Sequence, residues 1–315
     1  MRVAVTSPFF HFFPHLKDEL LEQYPDAKFK EQFPSIGGDE LVEFCQGYQG
    51  AIIGLDRFDD YVLSRLPELK VIGLCSAGAD HIDPAAMKKH GVRMGWVAGI
   101  NKVAVSEMTI SHIINIMRNF HKFSNQMYDG NWPSLRNGAL LNGRTVGLHG
   151  CGHIGKEVVK RLIPFGVNIL ACDRLDFSDF YEEYGVEAVD QEELWARSDV
   201  LSLHLSRNAT TIGLYSADVL AKLKQGVYLV NTSRGNIVDE VALKSRLESG
   251  DIAAAAFDVY AVEPAIDDPL FALPNFFGTP HTGAGADEAW EAMARSGIKG
   301  LTENWIPEPG EYPYD

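Results

Sequence analysis

Three side chains able to exchange a proton or grip an anion stand just beyond apolar, strand-length stretches in the second half of the chain. Arg234 follows "GVYLVNTS", Glu263 closes "AFDVYAVEP" before its proline, and His281 follows "FFGTP". An imidazole titrates near neutrality and suits proton exchange with a hydroxyl. A carboxylate beside it can hold one tautomer and stabilise the imidazolium form. A guanidinium can take a carboxylate through two parallel hydrogen bonds and polarise a neighbouring oxygen. Together they suit the oxidation of a secondary alcohol, whose hydroxyl proton needs a base while hydride passes to a cofactor. Singly, each has a plainer use: Arg234 as a turn cap, Glu263 as a solvated side chain, His281 as a buried hydrogen-bonding histidine.

The stretch "GLHGCGHIG", residues 147–155, supplies a place for that cofactor. Gly150, Gly152 and Gly155 fit G-x-G-x-x-G, which gains weight only between a strand and a helix. Both neighbours qualify: "RTVGLHG" reads as a strand, and "HIGKEVVKRLIPFG" as a helix with Ile154, Val158, Val159, Leu162 and Ile163 apolar. Backbone at such a turn can approach a diphosphate, with helix N–H groups pointing at it. Asp173 ends the next strand, "VNILACD", eighteen residues past Gly155. Its carboxylate can accept both ribose hydroxyls and repel a 2′-phosphate, whereas Arg174 beside it could meet one. NAD is therefore expected, with NADP as the alternative. A tight-packing turn or a methyltransferase's nucleoside site would use the same glycines. His149 and His153 flank the turn, but across a strand–helix junction with no third ligand nearby, so no metal is expected.

In an open α/β sheet, ligands bind beyond the carboxyl ends of the strands. The elements that would position these residues are short apolar runs alternating with amphipathic segments. The first set of strands is "RVAVT", "AKFKEQ", "GAIIGL", "LKVIGLCS" and "VRMGWV". The second is "RTVGLHG", "VNILACD", "DVLSLHL", "GVYLVNTS" and "IAAAAFDV". Helical segments such as "HLKDELLEQY" and "DELVEFCQGY" lie between, which implies parallel sheets covered on both faces. Two such sets predict an α/β protein with two doubly wound parallel-sheet domains. The boundaries fall at 1–100 with 285–315 for one domain and 101–284 for the other. One helix over "VAVSEMTISHIINIMRNFHKF" is expected to bridge the halves, and the helical segment after residue 284 to cross back to the first.

Composition narrows the partners. The 315 residues carry a formal charge of −15, which repels nucleic acid and anionic membrane surfaces. An anionic substrate then needs a local cation, which Arg234 supplies. No apolar run reaches the roughly 18 residues of a membrane span. The N-terminus "MRVAVTSPFFHFF" is a poor signal peptide, so a cytoplasmic location is expected. Cys45, Cys75, Cys151 and Cys172 contain no C-x-x-C pair or zinc spacing and read as reduced packing thiols.

Along nearly its whole length the chain resembles the D-isomer-specific 2-hydroxyacid dehydrogenases. The resemblance rests on "GINKVAVSEMT", "LNGRTVGLHGCGHIG", "VNTSRGNIVDEVAL", "AAFDVYAVEP" and "NFFGTPHTG". It implies a Rossmann-type cofactor domain, a flavodoxin-like substrate domain, and a homodimer formed through the cofactor domain. It implies catalytic Arg234, Glu263 and His281, and substrate-binding backbone at Ala77 and Gly78 in "CSAGADHID". Cofactor contacts are implied at Gly150, Gly152, His153, Ile154, Gly155, Asp173, Arg174, Thr232 and Asp258, the last at the nicotinamide end. The partner is then a small 2-hydroxyacid or 2-ketoacid. The family also contains NAD(H)-sensing corepressors, the alternative from another functional class, and formate dehydrogenases, against which Glu263 before Pro264 argues.

Some residues depart from the family pattern. Ser206 and Arg207 stand where a Pro-Leu pair is usual, near the adenosine side. Leu55 stands where phosphoglycerate-specific members place arginine, and Arg57 comes two positions later, which disfavours a phosphorylated substrate. No regulatory domain is expected after the last helix. The cluster Phe9, Phe10, Phe12 and Phe13 around His11 either fills the core or walls the substrate cleft and favours an uncharged side chain.

Overall fold

Apolar, β-branched runs too short for helices and closed by glycine or polar residues form strands here. In the computed structural model, which describes residues 1–31, 35–133 and 137–311, they build two parallel sheets. The chain divides into two units, Met1–Asn101 with Gly285–Asp315, and Lys102–Ala284.

The first unit contains β1 (Val3–Val5), β2 (Lys28–Phe29), β3 (Gly50–Ile53), β4 (Val71–Leu74) and β5 (Arg93–Gly95). They pair in the order β2-β1-β3-β4-β5, all parallel. Every residue of β1, β3 and β4 is buried, as a sheet covered on both faces requires. The strand expected over 27–32 contracts to β2, an edge strand with exposed Lys28; Gln32 lies outside the described residues. The helix Asp287–Gly300 lies on β4 and β5, where Ser296 Oγ donates to the Leu74 carbonyl at 2.8 Å.

After β1 the short helix Phe9–Phe12 divides the phenylalanine cluster. Phe10 is buried, with its ring 5.9 Å from that of Phe29. Phe9 and Phe12 lie against Trp290, at 5.7 and 5.5 Å between ring centres.

The second unit contains β6 (Thr145–His149), β7 (Asn168–Cys172), β8 (Glu187–Ala188), β9 (Val200–Leu203), β10 (Val227–Asn231), β11 (Ile252–Phe257) and β12 (Phe276–Gly278). The sheet order is β12-β11-β10-β9-β6-β7-β8. The chain leaves β6 toward β7 and β8, then returns to the other side at β9, so the strand order reverses between β6 and β9. The sheet thus has seven strands: the five of the second set, β12 from the strand-length stretch before His281, and β8. β8 was missed because its two exposed residues carry no apolar run, and backbone pairing to β7 places it.

The single helix expected from residue 103 is two. Asn119, at φ 55°, ends Lys102–Arg118 and starts Phe120–Tyr128. Asparagine tolerates this left-handed backbone better than most residues. The first helix packs within the second unit, against the helix His153–Leu162 and strands β10 to β12, burying Val105, Ile113, Ile116 and Met117. No described helix is long and apolar enough to cross a membrane.

Candidate active site

Because β10, β11 and β12 are neighbours, the loops leaving their carboxyl ends lie side by side. Asn231 shapes the first loop. Its Oδ1 accepts from the Ser233 N–H at 3.1 Å and the Ser233 hydroxyl at 2.8 Å, and its Nδ2 donates to the Arg234 carbonyl at 3.0 Å. Buried and hydrogen-bonded through both amide atoms, it folds the backbone tightly under Arg234. Gly235 lets this loop lie on the next: a Cβ there would stand 1.7 Å from the Tyr260 carbonyl oxygen. Arg234 itself donates from Nη1 to the Ser233 carbonyl at 2.8 Å.

The second loop carries Glu263, which precedes Pro264 through a cis peptide bond. Its Oε1 accepts the Tyr260 N–H at 2.9 Å, and its Oε2 lies 2.6 Å from Nδ1 of His281 on the third loop. Burial pushes the Glu263 carboxyl up. The His281 hydrogen bond, the Tyr260 N–H and the Arg234 charge outweigh it and hold the group below its ordinary range. His281 adopts φ 51°, a sparsely populated backbone region for a side chain of its size. The structure therefore brings His281 and Glu263 into direct contact, with Arg234 close enough to act on Glu263 electrostatically.

Asp258, at the end of β11, is buried with its carboxylate turned to the His281 loop. Oδ1 accepts from Thr279 Oγ1 at 2.5 Å and the Thr282 N–H at 2.8 Å, and Oδ2 accepts the Gly283 N–H at 2.7 Å. Thr232 is buried with its hydroxyl 2.9 Å from that of Thr109. Asn231, Tyr260, Thr279 and Thr282 were missed as site-building residues. A polar residue ending an apolar strand, as Asn231 does, is the signal that was available.

The glycine turn lies after β6, as a dinucleotide site requires. Gly150 has φ 95°, and a Cβ on it would come within 2.5 Å of the His204 carbonyl. A Cβ on Gly155 would stand 2.4 Å from the Gly150 carbonyl, so the helix starting at His153 sits tightly on the turn. At Gly152, by contrast, a Cβ would meet nothing within 4 Å, and no side chain caps this helix. That open backbone face at an uncapped helix N-terminus fits a diphosphate. Asp173 Oδ2 accepts the Cys151 N–H at 2.6 Å and Oδ1 accepts the Leu175 N–H at 2.9 Å, which fixes the carboxylate beside the turn. Ile154 packs partly buried on the core, and Arg174 is next to Asp173 in the loop. His149 turns away into the sheet's other face, its Nδ1 2.7 Å from the Tyr215 hydroxyl. Among the described residues, no group of three or more His, Cys, Asp or Glu is arranged to hold a metal.

In the first unit, Ala77 and Gly78 form the turn after β4. Ser76 Oγ donates to the Gly78 carbonyl at 2.8 Å, and Trp96 Nε1 donates to the Ser76 carbonyl at 3.0 Å. Leu55, after β3, is exposed, and Arg57 pairs with Asp59 at 3.5 Å.

Comparisons with known proteins show what the chain is similar to. A family model described as D-isomer specific 2-hydroxyacid dehydrogenase, NAD binding domain, matches residues 110–283. The D-3-phosphoglycerate dehydrogenase of Archaeoglobus fulgidus is 35% identical over 254 residues, which are 80% of this chain and 48% of that protein. The chain spans about half the length of the curated relatives it matches. The solved TT0316 protein of Thermus thermophilus is 32% identical, with a TM-score of 0.85 over 96% of each chain. A glyoxylate reductase from Paecilomyes thermophila is 29% identical, with a TM-score of 0.86 over 96% of this chain and 94% of that one.

Proposed function

The chain belongs to the D-isomer-specific 2-hydroxyacid dehydrogenase family, its second unit carrying that family's NAD-binding domain, and from this premise we propose that it interconverts a D-2-hydroxyacid and its 2-ketoacid. The observation that carries the proposal is the 2.6 Å contact of His281 Nδ1 with Glu263, next to Arg234, at neighbouring strand ends. When bound, NAD supplies the two-electron chemistry, exchanging hydride between its nicotinamide and the substrate's C2.

The protein's own residues do the rest. Glu263 accepts a hydrogen bond from Nδ1–H of His281, which leaves Nε2 to take the C2 hydroxyl proton in oxidation and return it in reduction. Arg234 binds the substrate carboxylate and polarises the C2 oxygen. On the first unit, which we assign as the substrate domain, the Ala77–Gly78 turn offers backbone N–H groups to a carboxylate. On the second, Gly150, Gly152, His153, Ile154 and Gly155 hold the diphosphate end of NAD, and Asp173 holds its adenosine ribose. Thr232, Asp258 and Arg174 complete that surface. Exposed Leu55 and the Arg57–Asp59 pair favour an unphosphorylated substrate.

Two broader assignments accompany this. The helix Phe120–Tyr128 buries none of its residues, leaving Phe120, Met127 and nearby Trp132 exposed along a groove of about 280 Å³. We assign the homodimer contact to this apolar face. The four free thiols suit a reducing compartment such as the cytoplasm.

The test is oxidation of NADH and NADPH with a panel of 2-ketoacids, including glyoxylate, pyruvate and a phosphorylated one. Turnover is expected with NADH, and His281→Ala should abolish kcat while NADH still binds. Tight NADH binding with no turnover of any ketoacid would instead favour a cofactor-sensing protein.

A further inference from the structure

The backbone of one residue in the second unit, Ala261, is held at both its N–H and its carbonyl by side chains to which no role has been given. Glu240 Oε1 accepts the Ala261 N–H at 2.8 Å, and Asn236 Nδ2 donates to the Ala261 carbonyl at 3.2 Å. Both side chains come from the segment just after Arg234, and Ala261 lies two residues before Glu263. Its neighbour Tyr260 donates the N–H that holds Glu263, and the Tyr260 carbonyl rests against Gly235. The Arg234 loop and the Glu263 loop are thus joined by one backbone contact and two side-chain hydrogen bonds.

Helix capping does not account for Glu240. Glu240 is the first residue of the helix Glu240–Ser249, but that helix is capped by Asp239, which accepts from the N–H groups of Val241 at 3.1 Å and Ala242 at 3.0 Å. Glu240 is free of capping duty and turns to Ala261. Its setting is unfavourable for a charge: burial raises its carboxyl, the Ala261 N–H pulls it down, and Asp268, Glu263 and Asp239 push it up again. Asn236 sits at φ 62°, a conformation asparagine and glycine accept, with its amide directed at the Ala261 carbonyl.

We propose that Glu240 and Asn236 are positioning residues: by holding the N–H and the carbonyl of Ala261, in the two successive peptides that flank it, they set Glu263, and through it His281, against the loop that carries Arg234. This rests on the proton-transfer roles given above. Displacing a reacting group by about 1 Å can cost on the order of a hundredfold in rate, so a brace two residues from Glu263 acts on turnover. Substrate binding is less exposed to it, because Asn231 independently fixes the Arg234 backbone.

The experiment compares the parent protein with Glu240→Ala, Glu240→Gln and Asn236→Gly, the last keeping the left-handed backbone while deleting the amide. Glu240→Ala should lower kcat about tenfold or more, with the ketoacid KM within about twofold. NADH affinity, read by fluorescence, should be unchanged. Glu240→Gln should recover most of the loss, since its amide oxygen can accept the same N–H, and Asn236→Gly should show a smaller loss. In histidine ¹⁵N NMR, the hydrogen-bonded Nδ1 signal of His281 should disappear in Glu240→Ala and return in Glu240→Gln.

Parent-like kcat and His281 signal in Glu240→Ala would overturn the brace, as would a Glu240→Gln variant as impaired as the alanine one. Should Glu240→Ala fail to fold, the same two readouts on Asn236→Gly decide. A parent that turns over no ketoacid would sink the dehydrogenase assignment instead, leaving the NMR comparison to judge the brace.

Discussion

Gly283 donates its N–H to Oδ2 of Asp258 at 2.7 Å, across 25 residues of sequence, while Thr279 and Thr282 donate to the other oxygen. One buried carboxylate therefore ties down the chain on both sides of His281, through the Thr279 hydroxyl before it and two backbone N–H groups after it. Hydrogen bonds to a charged acceptor are stronger than neutral ones, and a buried donor left without a partner is costly. In Asp258→Asn, either the Gly283 N–H or the donors at Oδ1 must face an amide NH₂. The expected cost is about 1–3 kcal/mol, read as a lower Tm. A kcat loss of about tenfold or more should accompany it through the misplaced imidazole. Unchanged melting and turnover would show that Asp258 does not organise this loop.

The second expectation concerns acid. Burial pushes the His149 imidazole down to about 4, with Asp173 drawing it weakly upward, and burial does the same to His204, also to about 4. An unfolded histidine titrates near about 6.5. Below that pH the unfolded chain gains a proton that the folded chain refuses, so each depressed histidine contributes stability that is full above pH ~6.5 and is lost as pH falls toward ~4. The slope is about 1.4 kcal/mol per pH unit for each group. Tm measured from pH 7 to 4 should fall steadily, and His149→Gln should make the fall shallower. An identical slope in that variant would mean that His149 already titrates in the native state.

Why some of this could be read in advance follows from where the physical signal resides. Strands β6, β7, β9, β10 and β11 announce themselves because each is an apolar run closed by a polar or glycine residue, and the strand-end placement of Arg234, Glu263 and His281 comes with them. β8 is two exposed residues held by pairing to Leu170 and Ala171, so its cause lies in the partner strand. The break at Asn119 is a single backbone torsion inside an unbroken apolar rhythm. The bracing by Asp258 and Asn231 depends on which loops meet, and that is decided by strand order, not by local composition.

Cofactor choice gives a third expectation. Asp173 is fixed by two backbone N–H groups, those of Cys151 and Leu175, with its negative charge beside the glycine turn. A 2′-phosphate brought there would meet like charge. Replacing the carboxylate with a hydroxyl removes that repulsion while keeping one acceptor. In Asp173→Ser, NADH should bind about tenfold more weakly, and the NADH-over-NADPH preference should shrink by about as much. Fluorescence titration with the two cofactors measures both. A parent that prefers NADPH would reassign discrimination to Arg174.

The phenylalanines after β1 separate into two kinds, and single alanine substitutions should do likewise. Phe10 is 1% exposed, and its ring meets Phe29 beside buried Val3, Val5, Leu16 and Leu20. Removing it leaves a cavity in a closed core, at a cost of about 3–5 kcal/mol. Phe12 is 52% exposed and rests on Trp290, so its removal opens no cavity and should change Tm little. Both rings follow the carboxyl end of β1, on the edge of the sheet where ligands bind in this class of fold. Phe12→Ala is therefore expected to reorder the 2-ketoacid panel, lowering kcat/KM for apolar members most, whereas Phe10→Ala should lower stability without reordering it. The same ranking in both variants as in the parent would confine the whole cluster to packing.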